Sequence, residues 1–386
     1  MLAEVAQITF ENVSDDNLPV ETPHVTLQVN QRADLSLEIL IIANSDRAVA
    51  QDVIIPAHQL PDANQMWQQL HVALGSAVRL GELSDVGQRS IWLHMKSLGK
   101  EIHDFFVTGS LRSASLEWQP GTVISIETNE KWIPWELVFD VDSGEFWGSK
   151  FIVARRPVVT GIEGFRPPTS RKQRAGEAIH IEKTVNVIGG GLPHDIADSA
   201  RRLFAQAESG CAVSICEGAD LTIADLETAF SDADLIHFTC HGHLEPLPCL
   251  QLGSQAPTAP LGILGCLQPS NICLFSIRPQ SIVFANACSS VHMGTFLDRT
   301  RSFGWEFFLK GVDAYIGTLG MIPTKYAVAF AEAFYEQFLH GATAGAALQY
   351  AKANSAHNNP FWLLYCLYGD PFARRVAMRV DRHSEQ

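Results

Sequence analysis

Two stretches decide the fold: DLIHFTCHGH (Asp234–His243) and SIVFANAC (Ser281–Cys288). Each is a strand-length apolar run that ends on small and chemically reactive residues. An apolar run without polar alternation marks a strand buried on both faces, the pattern of a parallel sheet covered by helices. VNVIGG (Val185–Gly190), AVSICEG (Ala212–Gly218), AYIGTLG (Ala314–Gly320) and FWLLYCLYG (Phe361–Gly369) repeat that pattern, and each is read as a strand.

Helical patterns separate these strands. Ile196, Ala200, Leu203, Phe204 and Ala207 form one apolar face. Thr222 with Asp225 forms a capping box ahead of Ile223, Leu226 and Phe230. Trp305–Lys310, Ala327–His340 and Thr343–Ser355 read as further helices. Strands alternating with helices predict a parallel α/β sandwich, whose sites form at the carboxyl ends of the strands.

The first part of the chain is mixed. LSLEILIIA (Leu35–Ala43), TVISIET (Thr122–Thr128), IPWELVFD (Ile133–Asp140) and FIVARR (Phe151–Arg156) read as strands or strand ends, and Gln65 to Phe106 as largely helical. Pro157–Glu177 is rich in Pro and Gly and carries Arg171, Lys172 and Arg174, the composition of a solvated connection. The expected organisation is a mixed α/β subdomain over 1–165, a linker over 166–184 and a second domain over 185–386.

The 386 residues are 46% hydrophobic and 18% charged, enough apolar material for a large core and against disorder. The 28 Lys and Arg against 42 Asp and Glu leave a net charge of −14, the wrong sign for a general nucleic-acid binder. The longest apolar run is far shorter than a membrane span, and MLAEVAQITF lacks the pattern of a secretory signal. Eight cysteines in a chain of this length do not make a disulfide framework; they are expected to be reduced thiols in a cytoplasmic protein.

A thiol and an imidazole sit at the ends of the two deciding strands. His241 and Cys288 lie 47 positions apart, so only the fold brings them together. An imidazole beside a thiol can take its proton and generate a thiolate nucleophile. The oxyanion formed when a thiolate attacks an amide needs backbone N–H donors, which Gly242 and Cys288 are placed to supply. An isolated Cys is more often a core residue than a nucleophile; the strand-end placement with HG and AC-S-S flanks favours the nucleophile. Cys240, alternating away from His241, reads as a core thiol, and His237 as structural. Cys240, His241, His243 and Cys249 lack the paired spacing of a zinc site, so no metal is expected. Gly189–Gly191 follows a strand but is not G-x-G-x-x-G, and no cofactor is expected. Glu136 reads as an ion-pair partner of Arg155 or Arg156, and the DRTR segment at Arg299–Arg301 as a loop.

These blocks resemble the CHAT domain, a caspase-like group of clan CD cysteine peptidases related to caspases and separases. The resemblance is carried by DLIHFTCHGH, LQLG (Leu250–Gly253), IVFANACSS (Ile282–Ser290), FFLKGVDAYIGTLG (Phe307–Gly320) and the helix that follows, with IPWELVFD and FWGSKFIVARR before them. It covers about Thr122 to Arg374. It implies a caspase-like sandwich with a pseudo-caspase-like first half, His241 and Cys288 as the catalytic dyad, and Gly242 in the oxyanion hole. Val291 stands where the family often has Gly. TLGMIP (Thr318–Pro323) stands where it carries a Trp with an Asp a few residues on, near Thr324 here. These departures fall on the pocket and leave the dyad intact.

The resemblance implies a cysteine endopeptidase that cuts one protein partner under control of a sensor or activator in trans, in bacterial defence or cell death, with a gasdermin-like effector as a substrate by analogy. Two alternatives stand beside it: an inactive caspase-like scaffold, and a small-amide hydrolase using the same dyad. In relatives that cut after Lys or Arg, an acid stands two positions before the Cys, where this chain has the neutral Asn286. Asp234 and Asp298 are then candidate pocket acids.

Overall fold

In the computed structural model, the described residues are 22–43, 48–60, 85–130, 133–158, 179–204, 211–217, 221–244, 248–253, 265–291, 294–296, 299–355 and 360–377, with 68, 69 and 72 besides. Their centre is one eleven-stranded sheet. Its strands in chain order are β1 (His24–Gln31), β2 (Leu37–Ala43), β3 (Ala48–Ile55), β4 (Val123–Thr128), β5 (Ile152–Pro157), β6 (Lys183–Ile188), β7 (Ala212–Glu217), β8 (Leu235–Thr239), β9 (Ile282–Asn286), β10 (Ala314–Thr318) and β11 (Tyr365–Gly369). In space they run β7-β6-β8-β9-β10-β11-β5-β4-β1-β2-β3.

The sheet is mostly parallel, in two blocks. β7, β6, β8, β9 and β10 are parallel to one another. β11 turns the direction by pairing antiparallel to β10, and is parallel to β5, followed by β4 and β1. The hairpins to β2 and β3 close the far edge. Strand β11, almost the last element of the chain, therefore joins the two parts through Leu367 opposite Ala154 and Tyr368 opposite Arg155. Strands β1–β5, which fall in the mixed α/β subdomain expected over 1–165, share one sheet with the rest. Of the expected linker, 166–178 lies outside the described residues, and 179–184 is already strand: Ile179–Ile181 and the start of β6.

Why this sheet is covered on both faces is visible on β8. His237 packs against Phe204 and against Tyr335 of helix α7 (Thr324–Phe338). Its neighbour Phe238 points the other way, onto Phe230 of α5 (Ile223–Phe230) and Phe307 of α6 (Phe303–Leu309). Successive residues of a strand face opposite sides, so a run of apolar residues needs a helix layer on each. All five β8 residues are buried accordingly. The capping box at Thr222 is present, with the Asp225 N–H on Thr222 Oγ1 at 3.2 Å and the Thr222 N–H on Asp225 Oδ2 at 2.8 Å.

Three segments differ from their sequence reading. IPWELVFD is not a strand: Trp135–Leu137 is a short 3-10 turn, followed by two strand residues. Trp135 stacks on Trp147 with ring centres 6.2 Å apart, and Glu136 makes a buried two-pronged ion pair with Arg155 on β5. FWLLYCLYG begins as a 3-10 turn over Phe361–Leu364 before β11. Arg299–Arg301 pairs with Gly294–Phe296 as a hairpin rather than a plain loop. Among the described residues no helix is long and apolar enough to cross a membrane.

Candidate active site

Both site residues follow from where β8 and β9 end. Beyond β8 the chain passes Cys240 and re-enters as the short strand His241–His243, part of a small antiparallel sheet with Cys249–Gln251 and Cys266–Leu267. His241 stands opposite Gln251, and Gly242 opposite Leu250. Cys249 and Cys266 form a disulfide with their Cα atoms 5.7 Å apart, inside the usual span. The expectation of eight free thiols is therefore corrected: two of the eight are paired, and the other six are free. The same bond removes Cys249 from any zinc set, and among the described residues no group of three His, Cys, Asp or Glu is placed to hold a metal ion.

Beyond β9 the chain turns at once. Ser289 sits at φ +52°, the left-handed region that a non-glycine residue enters at a cost of about 1–2 kcal/mol. Hydrogen bonds hold the turn there. Ser289 N–H donates to Gly320 O at 2.9 Å and Val291 N–H to Thr318 O at 3.0 Å. The Ser290 hydroxyl donates to Ala285 O at 3.0 Å and accepts from Thr318 N–H at 2.9 Å. Thr318 Oγ1 donates to Ala287 O at 2.6 Å, and the Tyr315 hydroxyl to Ser290 O at 2.8 Å. A side chain on Gly317 would meet Ser290 Oγ at 2.7 Å, so the close approach of β10 needs glycine there.

The two turns touch. A Cβ built on Gly242 would lie 1.8 Å from Cys288 O and 3.1 Å from Cys288 N. The backbone after the histidine thus lies directly on the backbone of the cysteine, and only glycine permits it. His241 and Cys288, both half-buried, line one small cavity of about 30 Å³. The Cys288 thiol donates to Ile322 O at 3.7 Å, and its sulfur accepts from Ile322 N–H at 3.4 Å. Burial pushes the Cys288 thiol up, with the Ile322 N–H pulling part of the way back. An upward shift favours the neutral thiol, so a nucleophilic role for this cysteine would call for a neighbouring base.

The other sequence candidates separate clearly. Asn286 lines the cavity; its amide donates to Ala327 O at 2.9 Å and accepts from the Tyr365 hydroxyl at 2.8 Å. Asp234 is not at the site. It precedes β8, accepts from Glu182 and Lys183 N–H at 2.9 and 3.0 Å, and pairs with Arg278 at 2.8 Å, at the strand end away from His241. Asp298 lies outside the described residues. His237 is structural, held between the Tyr335 hydroxyl at 3.0 Å and Thr239 Oγ1 at 2.9 Å, and burial depresses its pKa to about 3. Cys240 also borders the cavity, where burial drives its thiol strongly upward. Ser290, Thr318 and Ile322 were not singled out by sequence reasoning. The S-S flank of Cys288 was the signal for Ser290; nothing in the chain near Cys288 signals the other two.

The profile of the CHAT domain family matches residues 107–370, more than half of the chain. The chain belongs to the CHAT domain family. Among solved structures, the CHAT chain is similar to separase in the Saccharomyces cerevisiae separase–securin complex, at a TM-score of 0.56 and 11% identity. That similarity covers 92% of this chain and 30% of the separase chain, so the CHAT chain spans under a third of separase. It is also similar to the Arg specific cysteine proteinase gingipain R, at a TM-score of 0.44 and 12% identity over 73% of this chain and 68% of that one. No curated protein matches it in sequence. The fold is a caspase-like α/β fold, of the kind seen in separase.

Proposed function

We propose that this CHAT protein is a cysteine endopeptidase with His241 as general base and acid and Cys288 as nucleophile. The observation that carries this reading is the contact of Gly242 on the Cys288 backbone, which brings two residues 47 positions apart to the rim of one cavity. His241 takes the proton from Cys288 Sγ as the sulfur bonds to the carbonyl carbon of the scissile peptide. The carbonyl oxygen becomes an oxyanion, for which the backbone N–H groups of Gly242 and Cys288 are the candidate donors. The C–N bond then breaks, His241 returns the proton to the leaving amine, and a thioester remains. Water attacks that thioester with His241 again taking a proton, which releases the carboxylic acid and restores the thiol. No step needs a metal or a cofactor.

The substrate in this reading is a segment of a protein partner, and control comes from a sensor or activator chain in a cytoplasmic setting. The CHAT membership and the dyad support a peptidase. A role in defence or cell death and a gasdermin-like substrate rest on resemblance alone, and enter as substrates to be assayed. The test is incubation with protein extracts, with sequencing of the new N-termini. New termini with the unaltered protein, absent with Cys288→Ala, support the endopeptidase. Equal profiles leave the inactive scaffold, and turnover of small amides alone leaves the hydrolase.

A further inference from the structure

Resting on the dyad reading above, the cavity itself indicates what it takes. The residue whose carbonyl is attacked (P1) must place that carbon at Cys288 Sγ, and its side chain then falls into the space that His241 and Cys288 border. Apart from His241, no described residue lining that space is ionisable to a cation or is a carboxylate. Its polar wall is Thr239, Asn286, Thr318 and Thr324; its apolar wall includes Leu192, Ile322 and Val328.

The polar wall is already committed. Asn286 spends one N–H on Ala327 O and takes the Tyr365 hydroxyl on Oδ1, which fixes its amide without giving it a charge. Thr318 Oγ1 gives its proton to Ala287 O and Gly320 O and offers only lone pairs. Of the two candidate acids, Asp298 lies outside the described residues and Asp234 is held at the far end of β8 by Arg278. Among the described residues lining this space, a guanidinium or ammonium would meet only neutral oxygens, and a carboxylate only neutral donors besides His241, so the desolvation of the charge is poorly offset. The cavity is also only about 30 Å³, which suits a short side chain.

We infer that this CHAT site selects a short uncharged P1 side chain such as Ala, Ser or Val, and discriminates against Arg, Lys and Asp. Thr324 supplies a way to change that choice. It is the first residue of α7 and borders the cavity, so an acid there is favourable to the helix and adds a carboxylate to the wall.

The test uses the full chain and peptidyl acyloxymethyl ketones that differ only at P1, with iodoacetamide as a probe indifferent to P1. Labelling is mapped to Cys288 by mass spectrometry. The Ala, Ser and Val ketones are expected to label Cys288 at least a hundredfold faster than the Arg, Lys and Asp ketones. Thr324→Asp is expected to raise the Lys-to-Ala ratio at least tenfold at unchanged melting temperature. Faster labelling by the Arg or Asp ketone, with His241-dependent iodoacetamide reactivity intact, overturns the P1 assignment and leaves the dyad standing. If Cys288 reacts with iodoacetamide no faster in the unaltered protein than in His241→Ala, the dyad reading fails and the P1 assignment with it.

Discussion

The two turns that meet at the site are built in opposite ways. The cysteine turn is internal: Ser289, Ser290 and Val291 are buried, and six hydrogen bonds from β10, Gly320 just beyond it and the turn's own strand hold a left-handed backbone in place. The histidine turn is peripheral: Gly242 is half-buried and His243 exposed, and its small sheet is braced by a disulfide from Cys249, which stands opposite His243, to Cys266 on the next strand. Buried polar groups are costly to leave unpaired, so the first turn is held by the free energy of the core itself. The second is held at one point of contact, Gly242 on Cys288, and by a covalent brace. The positions of the proposed nucleophile and the proposed base are thus separately breakable.

The largest effect is expected where the turns touch. Gly242→Ala forces the two backbones apart, because its Cβ would sit 1.8 Å from Cys288 O. Displacing a catalytic group by about 1 Å costs on the order of a hundredfold or more in rate, so kcat/KM is expected to fall at least that far while the melting transition persists. An active Gly242→Ala variant would show that the contact does not set the dyad.

Next comes the brace. Replacing Cys249 and Cys266 together by Ser opens a 17-residue loop, for which loop closure suggests about 3 kcal/mol. Chemical denaturation checks that figure, and steady-state kinetics should show kcat falling with KM little changed, because the loss is in the histidine. Ser290→Ala attacks the other turn. It strips a partner from Thr318 N–H and Ala285 O, both buried, at about 2 kcal/mol of stability, and it should lower stability by a similar amount under oxidising and reducing conditions, unlike loss of the disulfide.

The smallest effect lies beneath both turns. His237 titrates at about 3 in the fold against 6.5 when unfolded. Between those values the unfolded chain binds a proton that the folded chain does not, so stability is complete above pH 6.5 and declines as pH falls towards 3. One pH unit below the unfolded value the loss is about 1 kcal/mol. His237→Gln should flatten that part of the stability–pH curve; an unchanged slope would assign the acid sensitivity to other groups.

The sheet was legible because β6, β8, β9 and β10 are buried on both faces and so carry no polar alternation. That His241 and Cys288 border one cavity was legible because they follow the carboxyl ends of two such strands. IPWELVFD and the start of FWLLYCLYG misled for the same reason: a short apolar run has no period that separates a buried strand from a buried turn. Asp234 illustrates the limit of proximity in sequence. It is seven residues before His241, and the five residues of β8 between them span roughly 16 Å at about 3.3 Å per strand residue. The Cys249–Cys266 pair had no signature, because a separation of 17 residues says nothing about which strands pair. The joining of the two halves through β11 was likewise invisible, since the partner of a strand is not written in the strand.

The central claim is that His241 acts on Cys288. The direct measurement is the second-order rate of Cys288 labelling by a peptidyl acyloxymethyl ketone, in the unaltered protein and in His241→Ala with its melting temperature verified. The predicted result is labelling confined to Cys288 and slowed at least a hundredfold in the variant. Equal rates in the two proteins, or labelling spread over the exposed Cys273 and other thiols, would contradict it.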